Sequence, residues 1–194
     1  MNCVYEDPMR TALSELVSAL DRLKIRYAVG GSLASSAHGA MRATFDADLI
    51  ASIGPYQLGP LCAALGKGWY ADEEMMLRAL RAGRAFNLIH IGSAIKADVF
   101  PATNDFHQIQ LERAQTTLLQ PPISMECVVT TAEDILLAKL HWYAEGGQSS
   151  ERQWNDIVGL ISIRNSMDWD YIGGWASRLG VSELLEKARQ DAAR

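Results

Sequence analysis

The sequence predicts an α+β protein: a mixed sheet flanked by helices over residues 1–120, then a C-terminal helical bundle over residues 121–194. Three observations lead there. Short strand-like runs alternate with amphipathic helical segments through the first part. Pro121-Pro122 is the clearest punctuation in the chain and marks the expected domain boundary. Beyond it, four helical segments joined by short connections suggest a small antiparallel bundle.

In residues 8–24, Leu13, Leu16, Val17, Leu20 and Leu23 recur at three- and four-residue spacing, which gives a helix with one buried stripe. Tyr27-Ala28-Val29 reads as a buried strand ending in Gly30-Gly31-Ser32, and residues 33–38 as a short helix running to Gly39. A second strand follows over residues 44–50. Gly54-Pro55 breaks the chain before a helix over 56–65, stopped by Gly66-Lys67-Gly68. Trp69-Tyr70 is a brief strand or a packing pair, and Asp72 caps a helix over 73–81 whose methionine pair, Met75 and Met76, reads as core. Residues 86–91 and 95–100 are strand-like around Gly92-Ser93, the composition of a hairpin. Residues 102–120 are polar, with a short helix over 105–109 and then a strand. Thr130 with Glu133 forms a capping box that opens a helix through Leu136, Leu137, Leu140 and Tyr143, ended by Gly146-Gly147. Ser149 or Ser150 caps a helix over 151–163, Asp168 or Asp170 begins one through Trp175, and Ser182 caps the last.

With 48% hydrophobic residues in 194, the chain has enough apolar surface for a sizeable core. Nothing in it approaches the length of a membrane span and the N-terminus lacks a secretory pattern, so the expected location is the cytoplasm, with no membrane partner. Cys3, Cys62 and Cys127 are odd in number and outside metal-ligand spacing, and are read as reduced thiols. A net charge of −5 argues against a surface that coats nucleic acid, although Arg78, Arg81 and Arg84 could form a local basic patch as well as a solvated face.

The chemistry-bearing stretch is 27–50. Gly30-Gly31-Ser32 is either an ordinary turn or a place where the backbone can approach a phosphate. In the strand that follows, alternation puts Asp46 and Asp48 on one face, where two carboxylates repel unless a cation or protons intervene. An anion-friendly loop one short helix away from a carboxylate pair is what a magnesium-bound nucleoside triphosphate needs. Asp98 interrupts an apolar strand and needs a partner or an ion. His90 is read as a strand-end histidine bonded to backbone, Lys139 as a snorkelling lysine in a partly apolar stripe, and Arg152 with Asp156 as a pair one helical turn apart.

Gly30-Gly31-Ser32, then Arg42-x-Thr44-x-Asp46-x-Asp48 followed by Leu49-Ile50, resembles the nucleotidyltransferase signature of the DNA polymerase beta superfamily. It is most similar to the branch that includes the AbiEii-like toxins of type IV toxin-antitoxin systems, and Asp98 stands where that superfamily calls for a third carboxylate. The resemblance implies a nucleotidyltransferase-type sheet and transfer of a nucleoside monophosphate from a nucleoside triphosphate to an acceptor hydroxyl, with release of pyrophosphate. Asp46, Asp48 and Asp98 would hold two magnesium ions, Gly30, Gly31 and Ser32 would take the β- and γ-phosphates, and Arg42 would add charge near them. Lys139 would approach the triphosphate and Asp156 would position Lys139 or the acceptor, matching a helical lysine followed by an Arg-x-x-x-Asp segment at Arg152. The acceptor is left open among RNA, a small molecule and a protein side chain, and a cognate antitoxin is the partner a toxin would have. The alternative is a degenerate member that binds nucleotide or a partner without turnover.

Overall fold

The computed structural model describes residues 7–39, 44–163 and 167–193. Helix α1 (Pro8–Arg22) is capped by Asp7, whose carboxylate accepts from the Met9 and Arg10 amides, and it buries Leu13, Leu16, Val17 and Leu20. The chain continues through β1 (Tyr27–Val29), α2 (Gly31–Ala37), β2 (Asp46–Ala51), α3 (Pro55–Leu65), β3 (Trp69–Tyr70) and α4 (Glu73–Arg81). Then come the hairpin strands β4 (Phe86–His90) and β5 (Ile95–Pro101), α5 (Asp105–Arg113), β6 (Gln115–Leu118) and β7 (Glu126–Val129). Helices α6 (Ala132–Glu145), α7 (Glu151–Ile163), α8 (Trp169–Arg178) and α9 (Ser182–Ala192) complete it.

The strands form one seven-stranded sheet in the order β3-β4-β5-β2-β1-β7-β6. It is mixed: β2 runs parallel to β5 and β1 parallel to β7, while the other neighbours are antiparallel. This is the α+β architecture expected, with the sheet flanked by helices and helices at the C-terminus.

Strand alternation divides the sheet into two chemically different faces. Ala47, Leu49 and Ala51 of β2, Ala97 and Val99 of β5, and Phe86 and Leu88 of β4 join Leu13, Leu16 and Leu20 of α1, Leu58 and Leu61 of α3 and Met76 of α4 in one core. The opposite face carries Asp46 and Asp48 on β2, Lys96 and Asp98 on β5, and Asn87 on β4. A second core forms around Leu136, Leu137, Leu140, Ile157, Ile172 and Leu185 of the C-terminal helices, with Phe106 of α5.

Several boundaries differ from the sequence reading. Pro121-Pro122 lies within the connection between β6 and β7, so the sheet continues to Val129 and the helices begin at Ala132. Residues 105–113 form a longer helix than expected, because Asn104 caps it on the His107 amide and Phe106 and Gln110 are buried. At α6 the cap is Thr131, which accepts from the Asp134 amide, while Thr130 instead extends the sheet by donating its amide to the Val29 carbonyl at 2.9 Å. The last helix starts at Ser182 itself, with Val181 in the cap position. Among the described residues no helix is long and apolar enough to cross a membrane.

A polar cluster ties α5, α6 and α8 together. Asp134 is fully buried and accepts from the Tyr171 hydroxyl and, at 2.9 Å, from the Thr131 hydroxyl. The Arg113 guanidinium lies 3.5 Å from the same carboxylate and 3.8 Å from the centre of the Tyr171 ring. Burial raises the Asp134 pKa, and the Tyr171, Thr131 and Arg113 contacts oppose that rise.

Candidate active site

The site is built where β1 ends. The Gly30 amide donates to the Asp48 carbonyl at 2.8 Å, one step beyond the Val29–Leu49 pair, so the glycine turn is laced directly onto the carboxylate strand. Gly31 has φ +54, and a Cβ there would stand 1.8 Å from Asp48 Oδ2. The space a side chain would need is filled by the Asp48 carboxylate, which therefore packs against the turn. Gly30 differs: a Cβ on it would make only ordinary contacts, 3.9 Å from the Asp48 carbonyl and 4.0 Å from Thr130 Oγ1. Helix α2 begins at Gly31 with no side chain capping its first amides.

The second carboxylate arrives by register. In the parallel β2–β5 pair Asp48 stands opposite Asp98 and Asp46 opposite Lys96, so the side chains of all four project from the same face. Asp48 titrates well above the usual carboxylate range, at about 6. Burial is the largest cause, followed by the negative charges of Asp98 and Asp46, with Lys139 and Lys96 opposing. Asp98 is held from two sides: Lys96 Nζ lies 2.8 Å from Oδ2, and the Asn87 side-chain amide, from the opposite position on β4, donates to Oδ1.

The helical part supplies the far wall. Lys139 of α6 donates to Asp156 Oδ2 of α7 at 3.1 Å, with side-chain exposures of only 12% and 23%. Together with Gly31, Ser32, Asp48, Trp142, Ser150, Arg152 and Gln153, they line a cleft of about 310 Å³. Trp142 stacks on Phe100 of β5 with ring centres 5.4 Å apart, which anchors α6 over the carboxylate face.

Of the residues singled out in the sequence, Gly31, Ser32, Asp48, Lys139, Arg152 and Asp156 therefore line one cleft, with Gly30 beside it, bonded to the Asp48 carbonyl, and Asp98 adjacent to Asp48. Asp46 is exposed at the solvent end of β2. Arg42 lies outside the described residues. His90 is not part of the site: it lies on the other side of the sheet, opposite Ile95, and its ring contacts the Ser93 hydroxyl at 2.7 Å and the Trp69 ring rather than backbone. Sequence reasoning passed over Lys96 and Asn87. Lys96 had a local signal, since it is two residues from Asp98 on a strand and must share its face; Asn87 had none, because its place opposite Asp98 depends on the hairpin register.

The donor chemistry fits a hard divalent cation. Asp48 and Asp98 offer only oxygen atoms and repel each other, and magnesium commonly takes one or two protein carboxylates when phosphates complete its shell. With the side chains as they stand, no group of three or more Asp, Glu, His or Cys residues among the described residues converges on one metal position.

No protein-family model and no curated protein sequence matches the chain. Solved structures do share its fold. An antigenic nucleotidyltransferase-like protein from Paracoccidioides brasiliensis is 19% identical, with a TM-score of 0.50 over 94% of this chain and 92% of that one. ANT(2")-Ia in complex with adenylyl-2"-tobramycin is 12% identical, with a TM-score of 0.52 over 90% of this chain and 98% of that one. The likeness is one of fold, the nucleotidyltransferase fold, and it extends over nearly the whole of each chain.

Proposed function

We propose that this chain transfers a nucleoside monophosphate from a nucleoside triphosphate to an acceptor hydroxyl. The observation that carries the reading is the seating of Asp48: one carboxylate pressed onto a glycine turn and aligned across a parallel strand pair with a second, Asp98. The nucleotidyltransferase fold supports the same reading.

Asp48 and Asp98 would hold magnesium, with Asp46 available from the solvent end. The bound ion would neutralise phosphate charge and lower the pKa of the acceptor hydroxyl. The first amides of α2, which no capping side chain takes, and the Ser32 hydroxyl would receive the outer phosphates, while the Gly30 amide stays on the Asp48 carbonyl. Lys139, held in place by Asp156, would offset charge on the departing group. In the reaction the acceptor oxygen bonds to the α-phosphorus while the bond to the α–β bridging oxygen breaks. Pyrophosphate leaves and the hydroxyl proton passes to solvent.

The finer assignment, an AbiEii-like toxin that modifies RNA and is restrained by an antitoxin, is supported by sequence resemblance alone, most specifically over residues 30–50 and more weakly at Asp98, Lys139, Arg152 and Asp156. ANT(2")-Ia was solved with adenylyl-2"-tobramycin, which supports keeping small-molecule hydroxyls beside RNA and protein among the acceptors to be assayed. The test is incubation with each labelled nucleoside triphosphate and magnesium in the presence of total RNA, total protein or an aminoglycoside panel. Label is expected in one pool for the wild type and in none for Asp48→Asn. Equal labelling by that variant would refute the reading, while ATP-dependent thermal stabilisation without pyrophosphate release would favour a nucleotide-binding protein without turnover.

A further inference from the structure

Lys96 is an outlier on the carboxylate face. On β2 and β5 its neighbours are the acidic Asp46, Asp48 and Asp98, with Ile89 opposite it on β4, and its ammonium group lies 2.8 Å from Asp98 with the side chain 39% exposed. The remaining oxygen of Asp98 is taken by Asn87. One carboxylate oxygen is thus held by a neutral donor and the other by a tethered cation. A neutral amide can keep its hydrogen bond when a metal ion binds the other oxygen, but an ammonium group on that oxygen occupies the direction a metal would use and repels it as well.

We propose that Lys96 is a built-in counter-cation of Asp98, a positioning residue that competes directly with the divalent ion and leaves the carboxylate when the ion arrives. This rests on the reading of Asp48 and Asp98 as metal ligands. The arrangement serves the folded protein in the absence of metal: three carboxylates on one sheet face would repel, and Lys96 relieves the strain at the one that stands opposite Asp48. Its consequence is that the metal site is weak until nucleotide phosphates supply further ligands, which couples ion binding to substrate binding.

Titration of the full-length protein with Mn²⁺ in a calorimeter, without nucleotide, tests this. Lys96→Met keeps the aliphatic stem and removes the charge. It is expected to bind Mn²⁺ about three- to tenfold more tightly than wild type. Lys67→Met, on the connection before β3, removes the same charge from an exposed position and is expected to bind like wild type. In an Asp98→Asn background the Lys96→Met effect should vanish.

Equal affinity of wild type and Lys96→Met, or equal tightening by both lysine variants, overturns the proposal while leaving the metal site standing. Absence of Mn²⁺ binding by wild type and Lys96→Met alike overturns the metal-ligand reading and this proposal with it. Should Lys96→Met fold poorly, the ¹⁵N resonance of the wild-type Lys96 ammonium group provides the second measurement. It is expected to shift and to exchange faster with water as Mg²⁺ is added, and an unchanged resonance at saturating Mg²⁺ overturns the proposal.

Discussion

Gly31 has room for a hydrogen and nothing larger, because the Asp48 carboxylate fills the volume where a side chain would begin. A methyl group there meets a carboxylate oxygen and also forces an L-residue into the left-handed region. Gly31→Ala is expected to cost about 1–3 kcal/mol in chemical denaturation and to displace Asp48, whereas Gly30→Ala, with ordinary contacts, should fold and melt close to wild type. Asp48 itself makes a second expectation. Its folded pKa, about 6, lies above the unfolded value of 3.8, so between those limits the folded state binds more protons. The contribution of Asp48 to metal-free stability must then fall as pH rises from about 4 to 6 and stay level above. Asp48→Asn should therefore raise the metal-free melting temperature at pH 7–8, by the equivalent of about 1–3 kcal/mol. The gain should shrink toward pH 4, and a variant equally stabilised at both pH values would contradict the assignment. The alternation of Asp46 and Asp48 was legible in the sequence, since strand period is local. The contact between Asp48 and Gly31 was not, since it joins two elements across a turn.

At the scale of elements, α6 and α7 bring Lys139 to the cleft, and the pair it makes with Asp156 joins the two helices. Removing the lysine leaves a half-buried carboxylate without that partner and removes positive charge facing Asp48. Lys139→Met is expected to lower nucleotidyl transfer about 100-fold or more, mainly through turnover rather than nucleotide affinity, as measured by steady-state pyrophosphate release. Asp156→Asn keeps a hydrogen-bond acceptor near Lys139 and should lose less. An equal loss in both would point to a purely structural pair. The order of the helices could be read from spacing, and three of their caps from Asp72, Ser150 and Asp168. The cap of α6 moved from Thr130 to Thr131 because Thr130 is used twice by the sheet, its amide and hydroxyl both donating to the Val29 carbonyl.

At the scale of the whole molecule, Asp134, Tyr171, Thr131 and Arg113 tie α5, α6 and α8 together around the second core. Tyr171→Phe withdraws a donor from a fully buried carboxylate and is expected to cost about 1–3 kcal/mol, read as a lower denaturation midpoint with the slope unchanged. Sequence alone determined the elements whose signals are local: an alternating strand over 44–50, observed as 46–51, the glycine turn, a hairpin of strands over 86–91 and 95–100, and amphipathic helices. It also placed Asp98 on a strand with an unmet charge. Tertiary structure decided which strands are neighbours, that β7 belongs to the sheet although it follows Pro121-Pro122, and that Asn87 and Lys96 both serve Asp98. Strand period and capping act over a few residues and leave a trace in the sequence, whereas register and layer order are chosen by burial summed over distant segments, which no single stretch records.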